Sequence, residues 1–381
     1  MDFDAVIVGG GLVGTSLALA LQGSGLRLAL VEARPCFQET EGWDSRIYAI
    51  SPGSAAFLGE GWNRMDFKRV TPVREMRIFG DDASSELRFS AEDVGASELA
   101  YIVESRNLLH GLMREIGQQE DLTLISPAQC VEMQWSENGI ELELDRGKLS
   151  SRLIVGADGA RSWIRSRAGF EISPRPYHQT AIVANFECEK PHHDTAWQWF
   201  RKDGILALLP MPGNRVSLVW SVWTEKAEDL ISNPDFGELV EKATLGRLGS
   251  LKMITEPQGF PLRLMRVESL VKPRVALIGD AAHNTHPLAG QGVNLGFRDA
   301  RALSGVLKGR GPRKDCGDYH LLRRFDRARR EDILSMQTTT DMLQKLFNND
   351  LPGLSFFRNL GLRMVEGKGW LKNALIQHAL A

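Results

Sequence analysis

The sequence predicts an α/β protein. A Rossmann-like nucleotide-binding domain with a parallel sheet is interleaved with an antiparallel-sheet domain and followed by a C-terminal helical tail. Three observations carry this. Gly9-Gly10-Gly11-Leu12-Val13-Gly14 sits between an apolar strand ending at Val8 and an Ala/Leu-rich stretch. A second apolar run, Val275-Ala276-Leu277-Ile278, ends on Gly279-Asp280 and leads into Pro287-Leu288-Ala289-Gly290-Gln291-Gly292-Val293-Asn294, almost 270 residues later. Between them, residues 174–263 break into short alternating runs separated by Pro, Gly and Asn, the pattern of antiparallel strands.

The opening reads as a βαβ unit. A strand runs to Val8, a helix covers 15–22 with Gly23 and Gly25 as its stop, and a second strand covers 26–31 and ends at Glu32. Such units return to a parallel sheet by right-handed crossovers. Residues 76–79 and 86–89 read as short strands of the antiparallel kind. Residues 122–126, 130–135 and 140–144 read as a meander, and 153–155 returns to a buried parallel-type strand. Strands at 180–186, 196–200, 205–209 and 215–223 follow. After Asn294 the chain turns helical. The division that results is discontinuous: 1–70, 96–173 and 266–334 for the nucleotide-binding domain, 71–95 and 174–265 for the inserted domain, and 335–381 for a C-terminal helical segment.

At 381 residues the chain exceeds the usual single domain, and 43% apolar with 25% charged residues is ordinary for a soluble globular protein. A net charge of −2 argues against general nucleic-acid binding, which draws its affinity from neutralising phosphates. The four cysteines, Cys36, Cys130, Cys188 and Cys316, show no CxxC spacing, so no zinc or dithiol motif is written here. The acidic start lacks a basic n-region, and no stretch reaches the roughly 18 apolar residues of a spanning helix. The expectation is a cytoplasmic chain. The tail mixes Phe356, Phe357, Leu360 and Trp370 with Arg358, Arg363 and Lys368, which leaves peripheral membrane contact or an ordinary capping helix open. Nine Lys or Arg against three Asp in 308–330 read as a solvated helix face.

Gly9, Gly11 and Gly14 form G-x-G-x-x-G: a tight turn, a close approach of backbone N–H groups to phosphate, and close packing of helix on strand. The helix N-terminus, with the amides of Leu12 and Val13, adds partial positive charge. Glu32, 18 residues past Gly14, is placed to accept from ribose hydroxyls, and Arg34 follows it as an adenine-side neighbour or a solvated residue. Asp280 ends a strand where it can accept from a ribityl hydroxyl. The amides of Gly290-Gln291-Gly292, before a helix, suit a flavin edge that gains negative charge on reduction. One ligand held from both ends of the chain points to FAD. His283 and His286 lack partners at metal-ligand spacing and read as packing or hydrogen-bonding residues. Trp197, Trp199, Trp220 and Trp223 crowd the inserted sheet, either as a wall for a large apolar substrate or as its aromatic core.

The whole set resembles the class A FAD-dependent aromatic hydroxylases, and more narrowly the ubiquinone-biosynthesis hydroxylase family. Besides the two end motifs, the resemblance rests on Asp44-Ser45-Arg46 with Ala49-Ile50-Ser51 and on Glu104-Ser105-Arg106-x-x-Leu109. It continues through Ala157-Asp158-Gly159-x-x-Ser162-x-x-Arg165, Leu208-Leu209-Pro210 with Val219-Trp220-Ser221, and Gly292-Val293-Asn294-Leu295-Gly296-x-x-Asp299. The resemblance implies an aromatic-hydroxylase-like fold. It implies that Arg46 and Arg106 contact FAD, that Asp280 meets its ribityl–phosphate region, and that Asp158 belongs to a motif serving FAD and NAD(P)H. Pro287, Gly290, Gln291, Gly292, Val293 and Asn294 would line the isoalloxazine. The implied chemistry is reduction of FAD by NAD(P)H as co-substrate, addition of O2 at flavin C4a, and hydroxylation of a prenylated phenol or quinone precursor by the hydroperoxide. Other ubiquinone-biosynthesis proteins are implied as partners. No phenol-activating base is named by the sequence. No second G-x-G-x-x-G follows a strand, so NAD(P)H binds without its own Rossmann domain.

Three alternatives share the first motif. Trp197-Gln198-Trp199 is similar to the start of a flavin-halogenase signature, but Phe200-Arg201-Lys202 follows it. A prenyl-chain reductase would use the same FAD scaffold without oxygen chemistry. A flavin-bound, non-catalytic subunit of a biosynthetic complex would keep the scaffold alone.

Overall fold

The computed structural model describes residues 1–35, 42–80, 86–201, 203–284, 291–311 and 314–347. Five parallel strands form its first sheet, in the order Val275–Leu277, Gly147–Gly156, Phe3–Val8, Leu28–Val31 and Leu122–Ile125. Val271–Lys272 closes one edge in antiparallel pairing. Residues 5–8 and Leu28–Val31 are unbroken apolar runs because helices cover both faces of the sheet. The helix Leu12–Ala20 starts three residues before the expected 15, since Gly11 with φ −75° and ψ −177° already serves as its N-cap.

One pairing differs from the sequence expectation. Leu122–Ile125 pairs in parallel with Leu28–Val31 and is not part of a meander. Cys130–Trp135 and Ile140–Leu144 do pair as a hairpin, which docks on the first half of the long strand Gly147–Gly156. Short apolar runs of four residues carry no orientation of their own. The neighbour is chosen by the core, where Leu28, Leu30 and Ile140 are buried together.

The second sheet has the order His283–Asn284, Gln258–Arg266, Arg175–Cys188, Arg215–Trp223, Gly204–Met211, Thr195–Arg201, Glu75–Phe79 and Glu86–Ser90, with Leu251–Met253 beside Arg175–Cys188. It is antiparallel except between Thr195–Arg201 and Glu75–Phe79. Strict alternation sorts its side chains. Ile182, Phe186, Leu206, Leu208, Leu218, Trp197, Trp199 and Trp220 form one buried cluster with Phe236 and Val240 from the helix Phe236–Ala243. Full burial of each large apolar side chain there contributes about 1.5–3 kcal/mol. The tryptophans are therefore the sheet's aromatic core, Trp223 excepted, which is exposed.

Three strands absent from the sequence reading, Ile47–Ile50, Val70–Val73 and Ala100–Glu104, make a small sheet between the two large ones. The helix Gln291–Lys308 packs on Leu12–Ala20, and the helix Tyr319–Phe347 packs on Gln291–Lys308. Tyr319–Phe347 runs straight across position 335, where a separate tail was expected to begin.

Candidate functional site

The three glycine-bearing motifs meet at the carboxyl ends of adjacent parallel strands, where open α/β sheets bind ligands. Gly9 has φ +111°, and a Cβ there would lie 2.4 Å from the Ala157 carbonyl oxygen. A Cβ on Gly14 would lie 1.9 Å from the Gly9 oxygen. These two glycines let strand, turn and helix come together. Gly11 differs: nothing lies within 4 Å of a Cβ placed on it, and it is exposed. The helix behind it has no side-chain cap and no acid in its first turn. An open glycine before an uncapped helix N-terminus is a cradle for phosphate oxygens.

Leu12 and Val13 point elsewhere. Leu12 is buried with Ile50, Leu58 and Phe297. Val13 fills the space a Cβ would take at Gly279 (3.3 Å) and Gly296 (2.6 Å). Only their backbone N–H groups are available to a ligand. Glu32 accepts from Gly10 N at 2.7 Å and from Arg34 N at 2.9 Å, so its carboxylate is fixed beside the cradle. The Arg34 side chain is 87% exposed and lies 3.6 Å from Glu32, a loose surface pair.

The Asp44-Ser45-Arg46 and Glu104-Ser105-Arg106 segments lock onto each other. Asp44 accepts from Arg46 N (3.0 Å) and Arg106 N (3.1 Å), while Glu104 accepts from Asp44 N (2.7 Å). Buried Glu104 also takes Arg69 through both carboxylate oxygens, at 2.5 and 2.8 Å. Arg69 in turn lies over Trp43, 4.2 Å from its ring centre. Arg106 donates to Gly42 O at 3.2 Å, and Arg46 sits 5.5 Å over Phe260 of the second sheet.

Asp158 is a helix cap. Its carboxylate accepts from Ser162 Oγ at 2.5 Å and from the amides of Trp163 and Ile164 at 2.6 and 3.0 Å. Arg165, buried, joins this turn to the next motif by donating to Ala160 O and Ala281 O, both at 2.9 Å.

At the second end of the chain, Gly279 turns with φ +59° and its N–H donates to Asp299 at 2.9 Å. Fully buried Asp299 also accepts from His283 Nε2 (2.6 Å) and Arg329 Nε (2.7 Å). Burial alone would raise the Asp299 carboxyl. The His283 and Arg329 charges outweigh it and hold the group below the usual carboxylate range. His283 thus serves the turn through a hydrogen bond.

Asp280 itself reaches solvent from a recess walled by protein. Desolvation raises its carboxyl above the usual range, against the pull of His283, Arg46 and Arg263. Arg46, 234 positions away in sequence, thus lies near enough for its charge to act on the Asp280 carboxyl.

Buried Asn294 accepts from Ser51 N (3.0 Å) and donates to Ala49 O (2.8 Å), so its side chain braces the helix against the 49–51 segment. Val293 packs in the cluster around Leu12 and Ile50. Gly292 is half-buried in the first turn of the helix. The backbone of Gln291 begins that helix. Pro287, Gly290 and His286 lie outside the described residues.

Three contributors carried no sequence signal strong enough to be named. Arg69 and Arg263 lie in no motif. Asn185 reaches from the second sheet to donate to Asp44 O at 2.9 Å. Its one clue is an amide side chain inside the otherwise apolar run 181–186.

Residues 136–330 match the model of the FAD binding domain family. Over 99% of its length the chain is 35% identical to the 3-demethoxyubiquinol 3-hydroxylase of Escherichia coli, covering 98% of that protein. It is 34% identical to the ubiquinone hydroxylase UbiL of Rhodospirillum rubrum, over 99% of this chain and 89% of that one. The chain belongs to the FAD-dependent hydroxylases of ubiquinone biosynthesis. In fold it matches PqsL of Pseudomonas aeruginosa with a TM-score of 0.78 at 22% identity, covering 95% of this chain and 99% of that one. The α/β architecture with its second, antiparallel sheet is that of class A flavin monooxygenases. The open Gly11 cradle fits the FAD that this family binds.

Proposed function

We propose that this monooxygenase hydroxylates the ring of a prenylated phenol or quinone precursor, with NAD(P)H as electron donor and O2 as co-substrate. The observation that carries the proposal is the face of the second sheet opposite its tryptophans. Pairing places Val183, Val219 and Ala207 side by side across three strands, all three half-buried within a largely buried sheet. Asn185, Gln258 and Phe260 share this face and touch Asp44, Ser45 and Arg46. It is a small-residue, apolar floor turned toward the segment whose Arg46 charge acts on Asp280. A flat, uncharged ring suits it.

In this reading FAD, when bound, supplies the two-electron chemistry that activates oxygen. The amides from Gly11 to Gly14 take the pyrophosphate, and Glu32 takes the adenosine ribose. Arg46, Arg106 and Asp280 would flank the remainder, and Gly292, Val293 and Asn294 at the start of the helix Gln291–Lys308 would lie toward the ring system. Asp158 and Asn294 act by holding backbone in place. Val183, Ala207 and Val219 orient the substrate ring and keep water from it. The division into nucleotide-binding parts (1–70, 96–173, 266–334), substrate parts (71–95, 174–265) and a C-terminal segment belongs to the same reading. So does a cytoplasmic protein touching the membrane or its pathway partners through that segment. Among the described residues, no helix is long and apolar enough to cross a membrane.

The test is anaerobic reduction of the bound flavin by NADH or NADPH, then admission of oxygen with a prenylated phenol and quantification of the hydroxylated product. A flavin reduced by neither nucleotide in the presence of such phenols refutes the proposal.

A further inference from the structure

A cavity of about 500 Å³ lies away from the flavin recess, on the tryptophan side of the second sheet. Its walls bring Arg77, Lys190 and Arg247 together beside Pro191, Trp197 and Leu248. Ligand sites run from about 300 to 1,000 Å³ and combine an apolar wall with a few convergent polar groups. The flavin chemistry described above uses none of these residues.

The charge in this cavity is unbalanced. Among the described residues Glu75 is its one carboxylate, and it is already taken by Arg77 and, at 2.6 Å, by Arg88 from the neighbouring strand. Burial would raise the Glu75 carboxyl, but the two arginines outweigh it and keep the group ionised. Among the described residues neither Lys190 nor Arg247 forms a salt bridge; the nearby Glu189 carboxylate feels the Lys190 charge but is hydrogen-bonded to Ser250 N and Oγ. Arg247 lies 5.0 Å over the ring of Phe79, which stacks on Trp199. Two cations thus line the cavity without a direct ion pair.

The loop that presents Lys190 is built. Buried His192 donates from Nε2 to Met211 O (2.8 Å) and Gly213 O (2.7 Å), and its Nδ1 accepts from Asp194 N (3.1 Å). That pattern fixes one neutral tautomer and pins the loop to the sheet. His193 and Asp194 are held at φ +51° and +55°, a region non-glycine residues rarely adopt. Lys190 N is tied to Leu248 O at 2.9 Å, which sets the two cationic segments edge to edge. Strain of this kind persists where the surroundings over-determine it, and it clusters at ligand sites.

We propose that this cavity is a second binding site, for a phosphate-bearing anion. Lys190 and Arg247 take the phosphate, and Pro191, Trp197 and Leu248 take the apolar part of the ligand. The same chemistry is offered by a soluble phosphate ester and by a phospholipid head group, and the experiment separates them.

FAD-loaded protein, with flavin content checked by absorbance, is titrated with inorganic pyrophosphate in equilibrium dialysis. In a second arm it is floated with phosphatidylcholine vesicles containing phosphatidylglycerol. Each arm is repeated with Lys190→Glu/Arg247→Glu and with the charge-neutral Lys190→Ala/Arg247→Ala. The wild type binds about one equivalent of pyrophosphate, weakening with added salt, and both double variants lose at least tenfold in affinity with flavin content and turnover unchanged. Vesicle binding lost in both variants, without pyrophosphate binding, supports the site and assigns it to a lipid head group. No binding in either arm, or equal binding by wild type and variants, overturns the proposal.

Discussion

Replacing Asp299 with Ala is expected to cost about 3–5 kcal/mol of folding stability and to release FAD, although no part of Asp299 is exposed to a ligand. The carboxylate holds three donors at once: Gly279 N, His283 Nε2 and Arg329 Nε, all between 2.6 and 2.9 Å. Its removal leaves the Arg329 guanidinium, itself buried, with Asp332 at 2.5 Å as its remaining carboxylate. It also orphans the Gly279 amide, a loss of about 1–3 kcal/mol when buried. Asp332 moderates the first term, which keeps the total near the middle of the range. The Gly279-Asp280 turn then loses its anchor, so the flavin recess loosens with the core. Urea unfolding of the FAD-free protein measures the first effect, and the 450-to-280 nm absorbance ratio of purified protein measures the second. A change below about 1 kcal/mol, with full flavin content, refutes the argument. The pH dependence adds a check. A carboxyl held below its usual range contributes stability that is complete above that range and disappears as pH falls through the lowered value. The gap between wild type and Asp299→Asn is therefore expected to close under acid conditions.

Three further outcomes are expected. Asp280→Asn should lower FAD affinity at least tenfold in a flavin titration, yet make the FAD-free protein more stable at neutral pH in thermal unfolding. A carboxyl raised by desolvation penalises the folded state once it ionises, so this penalty grows as pH rises through the raised value. Asn294→Ala should cost about 2 kcal/mol, from the two buried hydrogen bonds to Ser51 N and Ala49 O, read as a shift in urea midpoint at constant slope. Trp199→Phe should leave the site of hydroxylation unchanged in product analysis, while Ala207→Leu on the opposite face should raise the substrate KM or abolish turnover.

Much of this was legible because the relevant constraints are local. A glycine that must turn at φ +111°, or at which a Cβ would fall 1.9 Å from a carbonyl oxygen, leaves a mark at one position in the chain. Apolar runs of four residues, 5–8 and 28–31, likewise mark strands buried on both faces. Where the sequence reading departed from the structure, the information was non-local. The four-residue strand Leu122–Ile125 contains nothing that prefers Leu28–Val31 over the hairpin that follows it. The strands Ile47–Ile50 and Val70–Val73 exist because Ala100–Glu104 lies between them. The motif names Asp158, but only the structure shows that its carboxylate accepts from Ser162 and two helix amides.

The sequence by itself determined the nucleotide cradle, from a few glycines and one acid 18 residues on, and the cofactor, from the second block at 279–294 that suits the other end of the same ligand. Tertiary structure alone decided which side of the inserted sheet faces the Asp44-Ser45-Arg46 segment. Alternation assigns residues to two faces but does not say which face meets the rest of the chain. Docking of Asn185, Gln258 and Phe260 on Asp44, Ser45 and Arg46 settles it, turning the tryptophans into core and putting Val183, Ala207 and Val219 on the face that meets this segment. It also gathered Gly279, His283 and Arg329, from two segments distant from it in sequence, around Asp299, because a buried carboxylate needs its donors brought to it by the fold.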